Sequence, residues 1–433
     1  MRVLMLSWEY PPHSVGGLGK HVTELVPALT EQGVDICLLT PRWAGGPVNE
    51  VVAELLFSDV RGERVSRLAT RGDRLSSASG APEDVGATAT VIRVEPPYAD
   101  FPDFFAGAWR TNLTMEQKGR AMIDQLGRFD LIHAHDWLVA FAGVALKNAY
   151  KIPLIATIHA TEYGRGRGTL PTEMSKAIHN VEWWLSFEAW RVILCSQYMA
   201  HEVAQIFHAP HDKLDVIPNG VDTRPFDALD GLDLTDFRAG YALPEEHIVF
   251  MVGRMVQEKG HHLLIEAAPR ILAQYPAAKF VLAGTGPMRD ALMARAGELG
   301  LGDKVYFPGF ISDDDRNKLF KVADVAVFPS LYEPFGIVAL EAMAARCPVV
   351  VSTVGGLTEV VRHHETGITV YPDSVDSLVW GVLHTLQHPD WSRARAENAY
   401  RVVRQVFNWR TIAASTRAVY ERVRREHDAS DWH

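Results

Sequence analysis

Cysteine is scarce in this chain, and long hydrophobic runs are missing. Only three cysteines occur among 433 residues, at the widely separated positions Cys37, Cys195 and Cys347. They support neither a disulfide framework nor a zinc-ligand motif, and they fit a reducing compartment. Because no run of about 18 apolar residues is present, we expect no transmembrane helix. The N-terminal MRVLMLSWEY is too short and polar for a signal peptide, so a cytoplasmic protein is predicted.

An excess of positive charge is also missing. The chain has 43 Lys and Arg against 53 Asp and Glu, which gives a formal net charge of −10. This balance argues against a nucleic-acid scaffold. Hydrophobic residues make up 47% and charged residues 22%, which are the proportions of a globular protein. A length of 433 residues exceeds what one hydrophobic core usually supports, so two domains are expected.

Strand-like and helix-like segments alternate from the N-terminus. Arg2 to Ser7 is a short apolar run, His21 to Gln32 has apolar residues at helical spacing, and Val34 to Thr40 is again apolar. Apolar strands separated by amphipathic helices indicate a parallel sheet covered on both faces. Residues 61–87 are rich in Ser, Arg, Gly and Ala, and we interpret them as a surface insertion or mobile loop.

A second series of strands and helices begins near residue 247. Its predicted strands are Ile248 to Val252, Phe280 to Ala283, Lys304 to Phe307, Val325 to Phe328 and Val349 to Ser352. The stretch from Pro218 to Pro244 lacks clear periodicity, so the domain boundary is expected there or slightly before it. The predicted fold class is α/β, with two doubly wound parallel sheets facing a central cleft, where open α/β sheets bind ligands.

A glycine-rich turn between the first strand and the first helix is a candidate anion site. In VGGLGKH, Val15 to His21, glycines allow a close backbone approach to phosphate, and the helix start offers free N–H donors. The motif is not a dinucleotide-binding fingerprint, because Val22 stands where that fingerprint needs a third small residue. It is not a Walker loop either, because Ser14 stands where that loop begins with glycine. A plain tight turn explains the glycines equally well.

The motif LIHAHDW, Leu131 to Trp137, places two histidines near the carboxyl end of a strand. Because side chains alternate along a strand, His133 and His135 should point to the same face. A zinc site would need a third ligand, and Asp136 points the other way if the strand continues. One histidine that hydrogen-bonds a ligand is therefore preferred to a metal site, and a purely structural histidine is the alternative.

The motif VGRMVQEKG, Val252 to Gly260, carries two cations across a turn from strand to helix. Arg254 and Lys259 lie five residues apart at the carboxyl end of the strand. Such a pair suits a pyrophosphate, because Arg binds in a fork and Lys acts as a point charge. The alternative is a solvated loop, in which Lys259 near a helix start would be slightly unfavourable.

The motif SLYEPFGIVALEAMA, Ser330 to Ala344, carries Glu333 in a loop and Glu341 on the helix that starts at Gly336. Most other positions of this helix are apolar. A carboxylate among them is costly unless it meets hydroxyls or a cation, which favours a ligand-binding role for Glu341. A glutamate on the exposed stripe of the helix is the alternative.

Three further groups resemble metal sites. Asp313 to Asp315 follows Ser312 and precedes a helix, so these charges are interpreted as helix-start residues. The adjacent pairs His261–His262 and His363–His364 do not form a chelating face on a helix. The sequence therefore predicts neither a metal nor a cofactor.

Together these motifs resemble the family 4 glycosyltransferases of the GT-B fold. The resemblance covers the chain except for roughly residues 45–115, and its specific elements are GRMVQEKG, GTGP at Gly284 to Pro287, EPFGIVALEAMA, and PNGVD at Pro218 to Asp222. WEYPP, GGLG, HAHDW and TIHATE at Thr157 to Glu162 are similar to bacterial glucosyltransferases of the glycogen-synthase type. Ser14 replaces a lysine common in bacterial glycogen synthases, so both ADP-glucose and UDP-glucose stay open as donors.

The resemblance implies a role for each part of the chain. Residues 1–215 would form an acceptor-binding Rossmann-like domain and residues 216–410 a nucleotide-sugar-binding one, with a helix at 411–433 packing back on the first. The implied catalytic residues are Glu333, His135, Arg254 and Lys259. The implied donor-binding residues are Gly16, Gly17, Arg254, Lys259, Gly284, Gly336, Ile337, Val338 and Glu341. The implied acceptor-binding residues are Glu9, His159 and Glu162.

The activity implied by the resemblance is transfer of glucose from a nucleotide sugar to an α-glucan or related glucoside, with retention of the anomeric configuration. Arg254 and Lys259 would neutralise the leaving diphosphate, so no metal is expected. The partners would be a nucleotide-sugar donor and a carbohydrate acceptor, without nucleic acid; the sequence does not indicate an oligomeric state. The alternatives are mannosyl or other hexosyl transfer to a lipid or small polyol, and a sugar-nucleotide 2-epimerase.

Overall fold

Two sheets organise the chain in a computed structural model, which describes residues 1–60, 63–70, 84–97 and 101–432. The strands are β1 (Arg2–Leu6), β2 (Asp35–Pro41), β3 (Asn49–Val60), β4 (Glu63–Thr70), β5 (Asp84–Val94), β6 (Leu131–His135), β7 (Leu154–Ile158), β8 (Arg191–Leu194), β9 (Leu214–Val216), β10 (His247–Val252), β11 (Ala278–Ala283), β12 (Val305–Gly309), β13 (Val325–Phe328), β14 (Val349–Ser352) and β15 (Ile368–Val370).

Helices alternate with most of these strands. They are α1 (Gly17–Glu31), α2 (Phe104–Leu126), α3 (Ala140–Tyr150), α4 (Glu162–Arg165), α5 (Glu173–Glu188), α6 (Gln197–Phe207), α7 (Arg224–Asp227), α8 (Thr235–Ala239), α9 (His261–Gln274), α10 (Arg289–Glu298), α11 (Asp313–Val322), α12 (Ile337–Ala344), α13 (Leu357–Val360), α14 (Val375–Gln387), α15 (Pro389–Val406) and α16 (Trp409–Asp428). Within the described ranges, no helix is both long enough and apolar enough to cross a bilayer.

The chain divides into two compact units. Unit 1 consists of Met1–Asn219 together with Trp409–His433, and unit 2 is Gly220–Asn408. We predict the domain boundaries from the sequence at residues 215 and 410, and the units divide after Asn219 and after Asn408. The assignment of acceptor binding to one domain and donor binding to the other stays a prediction.

The sheet of unit 1 has nine strands in the order β4-β3-β5-β2-β1-β6-β7-β8-β9. In this order, every pair of neighbouring strands from β5 through β2 and β1 to β9 is parallel. Strand β3 instead pairs antiparallel with both β4 and β5. Of the two interpretations of residues 61–87, a surface insertion or a mobile loop, the mobile loop is wrong for the strand residues 63–70 and 84–87. Residues 61–62 and 71–83 lie outside the described residues. An edge hairpin can be rich in charged and small residues, so its composition resembles that of a loop.

The core of unit 1 joins its N-terminal and C-terminal helices. Val22, Leu25 and Leu29 of α1 are at most 1% exposed, as their helical spacing predicts. They share one apolar cluster with residues of α16, whose Tyr420 is fully buried. The Tyr420 hydroxyl also lies 2.6 Å from Nδ1 of His133 on β6, which ties α16 to the sheet.

The sheet of unit 2 is parallel throughout its paired strands, in the order β12-β11-β10-β13-β14-β15. The five strands predicted for this region are confirmed to within two residues at each end, and the three-residue strand β15 was missed. Because β11, β10 and β13 are neighbours, the loops at their carboxyl ends lie side by side. Those loops are residues 253–260, 284–288 and 329–336.

Candidate active site

Backbone hydrogen bonds join the three neighbouring loops of unit 2. The Met255 N–H donates to the Thr285 carbonyl at 2.7 Å, which links the loop after β10 to the loop after β11. The Leu331 N–H donates to the Glu258 carbonyl at 2.8 Å, which links it to the loop after β13. These bonds fix the positions of the loops that carry four of the predicted donor-binding residues, Arg254, Lys259, Gly284 and Gly336.

Two glycines allow the loops to approach this closely. Gly284 has a φ of +127°, and a Cβ added to it would lie 2.0 Å from the carbonyl oxygen of Gly253. Gly260 has a φ of +76°, and a Cβ there would lie 2.0 Å from the carbonyl oxygen of Pro329. Any side chain at either position would separate the loops. This backbone contact accounts for Gly284; its role in donor binding stays a prediction.

An ion pair lies where the first and third loops meet. The Nζ of Lys259 is 2.7 Å from Oε2 of Glu333, and the side chains are 26% and 10% exposed. Lys259 ends a short 3-10 turn, Gln257–Lys259, and the Glu333 carbonyl accepts a hydrogen bond from the Gly356 N–H at 3.0 Å. A buried ion pair is weak evidence for stability, because desolvation offsets much of the attraction. Its position at the strand ends therefore favours a chemical role.

Arg254, the second predicted cation, lies in the same loop but is more exposed. Its side chain is 53% exposed, and its Nη2 is 3.8 Å from Oε1 of Glu258. Such an exposed pair contributes little to stability. The guanidinium therefore needs little energy to turn toward an anion.

Glu341 is buried, so the alternative of a glutamate on the exposed stripe of the helix is wrong. Its side chain is 6% exposed, and its Oε1 lies 3.2 Å from Nη2 of Arg316. We predict that a carboxylate at this position needs hydroxyls or a cation, and the cation is Arg316 on α11. The sequence motifs do not indicate Arg316. The available signal was its position three residues after Asp313, whose Oδ1 is 2.7 Å from its Nη1.

The helix α12 begins beside Glu333. Gly336 precedes it with a φ of +107°, a conformation that favours glycine. The first N–H groups of a helix have no acceptor within the helix, so those of Ile337 and Val338 are suited to an anion or a sugar hydroxyl. Donor binding by these three residues stays a prediction.

The acidic run Asp313 to Asp315 forms the first turn of α11. Asp314 pairs with Lys318 at 2.6 Å, and the Asp315 N–H donates to the Ser312 hydroxyl at 3.0 Å. The interpretation of these charges as helix-start residues is confirmed.

In unit 1, Glu9 holds the glycine-rich turn before α1. Its Oε2 accepts hydrogen bonds from the N–H groups of Val15 at 2.8 Å and Gly16 at 3.1 Å. Nothing lies within 4 Å of a Cβ added at Gly16, and Gly17 is the first residue of α1. Glu9 thus has an intramolecular function in the turn. Acceptor binding by Glu9 and phosphate binding by Gly16 and Gly17 stay predictions.

His133 and His135 lie on the same face of β6, as their spacing predicts, but their surroundings differ. The rings are 4.2 Å apart between centroids. His133 has a partner at both nitrogens, the Tyr420 hydroxyl at 2.6 Å and the Thr157 hydroxyl at 2.7 Å. It is therefore a structural histidine. His135 is fully buried, and its Nε2 has no hydrogen-bond partner.

Two further histidines surround His135. The Nδ1 of His135 is 3.1 Å from Nε2 of His159, which follows β7. His21 of α1 completes the group, with ring centroids 5.4 Å from His135 and 4.7 Å from His159. The sequence motifs do not indicate His21 as a member of this group; the adjacency of β1, β6 and β7 brings it there. Three potential ligand nitrogens therefore lie within 4.8 Å of one another in this group, which does not include Asp136, and the absence of a metal stays a prediction.

Burial keeps this histidine group neutral. It lowers the pKa values of His21 and His135 well below their ordinary range. It also lowers the pKa of His159 to about 3, with a further contribution from the charge of Arg165. Each ring therefore carries one N–H and one lone pair at neutral pH.

Two buried carboxyl groups hold the backbone around these residues. Asp136 has a φ of +62°, and its Oδ1 accepts the His159 N–H at 2.7 Å. Glu182 of α5 accepts the Glu162 N–H with both carboxyl oxygens at 3.0 Å. Burial raises the pKa of Asp136 to about 7 and that of Glu182 to about 8. The predicted acceptor residues His159 and Glu162 thus depend on two carboxyl groups to which the sequence analysis assigned no role.

Comparisons with known proteins agree over both units. Residues 235–402 match the family model described as glycosyl transferases group 1, and residues 15–224 match glycosyltransferase family 4. An uncharacterised glycosyltransferase of Methanocaldococcus jannaschii is 37% identical over 97% of this chain and 98% of its own. A glycogen synthase of Mycobacterium tuberculosis is 35% identical over 97% of this chain and 94% of its own.

A solved structure extends the likeness to the fold. The sucrose-phosphate synthase from Thermosynechococcus elongatus aligns with a TM-score of 0.76 and 25% identity, over 98% of each chain. The likeness in fold therefore extends over both units of the chain.

The raised pKa of Glu182 predicts how stability changes with pH. Its ordinary value is near 4.5, so between about pH 4.5 and 8 the unfolded chain releases a proton that the folded chain keeps. Stability is then lost as the pH rises through this range. Glu182→Gln cannot ionise at this position, so it avoids that loss. The free energy of unfolding of the variant minus that of the wild type should therefore be about 1–3 kcal/mol higher at pH 8.5 than at pH 4.5.

Urea unfolding at the two pH values measures this difference. Glu173→Gln is the matched control, because Glu173 lies on the same helix and its side chain is 90% exposed. An equal pH dependence in wild type and Glu182→Gln would show that Glu182 is ionised in the folded protein.

Proposed function

The chain belongs to the family 4 glycosyltransferases of the GT-B fold, and we propose that it transfers glucose from ADP- or UDP-glucose to an α-glucan or related glucoside with retention of configuration. The glycogen-synthase relative, which matches nearly the whole chain, supports the choice of glucose and of a glucan acceptor. The small number of cysteines, Cys37, Cys195 and Cys347, fits the proposed cytoplasmic location.

The observation that carries this proposal is the 2.7 Å contact between Lys259 and Glu333. Cleavage of a sugar–phosphate bond builds negative charge on the leaving diphosphate and positive charge on the anomeric carbon. These two charges develop on adjacent groups, so they require a cation and a carboxylate that are also adjacent. Preorganised charges of this kind are usually the largest contribution to catalysis.

The reaction is proposed to proceed on one face of the sugar. The bond between the anomeric carbon and the phosphate oxygen breaks as the acceptor oxygen bonds to the same face. The proton of the acceptor hydroxyl passes to the leaving diphosphate. Lys259 and Arg254 stabilise the diphosphate, and Glu333 stabilises the sugar cation without forming a bond to it. No resident metal is required, because the two cations supply the charge.

Other residues hold the donor. Glu341, buried beside Arg316, is proposed to accept hydrogen bonds from the ribose hydroxyls. The N–H groups at the start of α12 add donors for the sugar or the phosphate. The roles of His135 at the donor sugar and of Glu9, His159 and Glu162 at the acceptor rest on the family resemblance.

The alternatives differ in the co-substrate. Hexosyl transfer to a lipid or small polyol would use the same charge pair with another acceptor. A 2-epimerase would consume a UDP-N-acetyl sugar with no acceptor at all. The acceptor requirement therefore separates the classes.

The proposed function predicts a specific pattern of turnover. With ADP-glucose or UDP-glucose as the donor, a soluble α-glucan should be elongated in excess EDTA, and the new linkage should show the α configuration by its anomeric proton coupling. GDP-mannose with a polyol, and UDP-N-acetylglucosamine without acceptor, serve as comparison reactions. A β-linked product, or loss of activity in EDTA that magnesium or manganese restores, would contradict the proposal.

The phosphate contacts can be tested separately. Lys259→Ala and Arg254→Ala should each lower kcat/KM by about 100- to 1,000-fold, the effect of removing one preorganised donor. Lys318→Ala is the control, since Lys318 is a cation of the same unit that pairs with Asp314 on α11. Turnover of both variants near that of Lys318→Ala would show that these cations do not stabilise the leaving group.

A further inference from the structure

A buried arginine of unit 2 lacks a carboxylate partner. Arg395 of α15 is only 7% exposed, yet its side chain forms no ion pair with any residue that the structure describes. Its Nη2 donates to the Ser392 hydroxyl at 2.9 Å. By contrast, Arg93 of unit 1 is 3% exposed and pairs with Glu50 at 3.0 Å. Since Arg stays protonated in proteins, a buried guanidinium that meets only a neutral hydroxyl is costly and calls for an anion.

Three histidines lie around this guanidinium. His363 and His364 precede β15, with ring centroids 4.0 Å apart, and His384 of α14 lies 5.6 Å from His364. Burial lowers the pKa values of His363 and His384, and the charge of Arg395 lowers both further. The guanidinium is therefore close to both rings, and both rings are neutral at pH 7.

Two of these rings have a nitrogen that is suited to an anion. Nδ1 of His363 accepts the Thr369 N–H at 3.0 Å. A neutral imidazole that accepts at one nitrogen carries its hydrogen on the other, so Nε2 of His363 is an N–H donor. Nε2 of His384 is buried without a hydrogen-bond partner. An orphaned polar atom of this kind needs an explanation, and a bound ligand is one.

We propose that Arg395, His363 and His384 form a binding site for the phosphate group of a small ligand. A phosphate offers several oxygens at once, which suits a guanidinium fork together with imidazole N–H donors. The acidic residue of the same segment, Glu365, does not neutralise the guanidinium. It is paired with Arg362 at 3.7 Å, and its side chain is 67% exposed.

The site is separate from the proposed diphosphate contacts. Arg254 and Lys259 follow the carboxyl end of β10, whereas His363 and His364 precede the amino end of β15. Because the paired strands of this sheet are all parallel, the two groups of residues lie at opposite edges of it. The inference therefore goes beyond glucose transfer and does not rest on it.

Trp380 of α14 lies beside the proposed site. Its ring is stacked on that of His384, with centroids 5.2 Å apart and planes at 21°, and the residue is 45% exposed. An accessible indole can pack against the apolar face of a sugar ring. The phosphate group has two sources that fit these contacts, free phosphate and a sugar phosphate, and Trp380 distinguishes them.

The test is calorimetric titration of the full-length protein with inorganic phosphate and with glucose 1-phosphate. Wild type should bind at least one of the two more tightly than about 1 mM. Arg395→Gln should bind it about 10- to 100-fold more weakly, which is the effect of losing a hydrogen bond from a charged group. Arg393→Gln is the matched control, because Arg393 lies on the same helix with its side chain 73% exposed, and it should bind as wild type does.

Two further variants locate the site independently. His363→Gln changes an exposed residue and should weaken binding about 2- to 10-fold, so it tests the site even if Arg395→Gln does not fold. Arg254→Ala should keep the binding that depends on Arg395, whether or not Arg254 contacts a donor diphosphate. A loss in Trp380→Ala that is confined to glucose 1-phosphate would assign a sugar phosphate, and equal binding of both probes would assign free phosphate.

Three results would overturn the proposal. The first is wild type that binds neither probe. The second is equal affinity in folded Arg395→Gln and Arg393→Gln, or in His363→Gln and wild type where Arg395→Gln does not fold. The third is loss of all binding in Arg254→Ala, because the probes would then occupy the proposed diphosphate contacts instead.

Discussion

The contact between Lys259 and Glu333 depends on the order of strands in a parallel sheet. The two residues are 74 positions apart, yet β10 and β13 are neighbours and end at the same edge. Glycines at 260 and 284 then let the loops after β10, β11 and β13 approach to backbone contact. A cation and a carboxylate are thereby held where opposite charges develop in the proposed reaction. The strand order and the loop contacts together keep this pair in place.

In unit 1, the order of strands likewise brings distant residues together, but here the side chains are neutral. The adjacency of β1, β6 and β7 brings three histidines together, and burial keeps them uncharged. Asp136 and Glu182 hold the neighbouring backbone, although burial raises the pKa values of both carboxyl groups. Such an arrangement is destabilising when considered alone. Strongly shifted pKa values that cluster around one edge of a sheet are typical of functional sites.

Much of the architecture was predictable, because periodicity and burial are local signals. The strands of unit 2 follow from apolar runs, and the burial of Glu341 follows from its apolar neighbours. Contacts between distant elements were not predictable. Nothing local distinguishes His133, which the Tyr420 hydroxyl satisfies, from His135, which keeps an orphaned nitrogen. Arg316 and His21 were missed for the same reason, and residues 63–70 were missed because an edge strand carries no apolar run.

The most direct test of the charge pair is Glu333→Gln, which keeps the size of the side chain and removes its charge. Nucleotide titration and steady-state turnover should be measured on the same preparation. The account predicts that turnover falls about 100- to 1,000-fold. Affinity for the nucleotide diphosphate should change by less than about threefold, because the nucleotide is held by Lys259, Arg254 and Glu341. Equal losses of affinity and turnover would make Glu333 a binding residue and contradict the account.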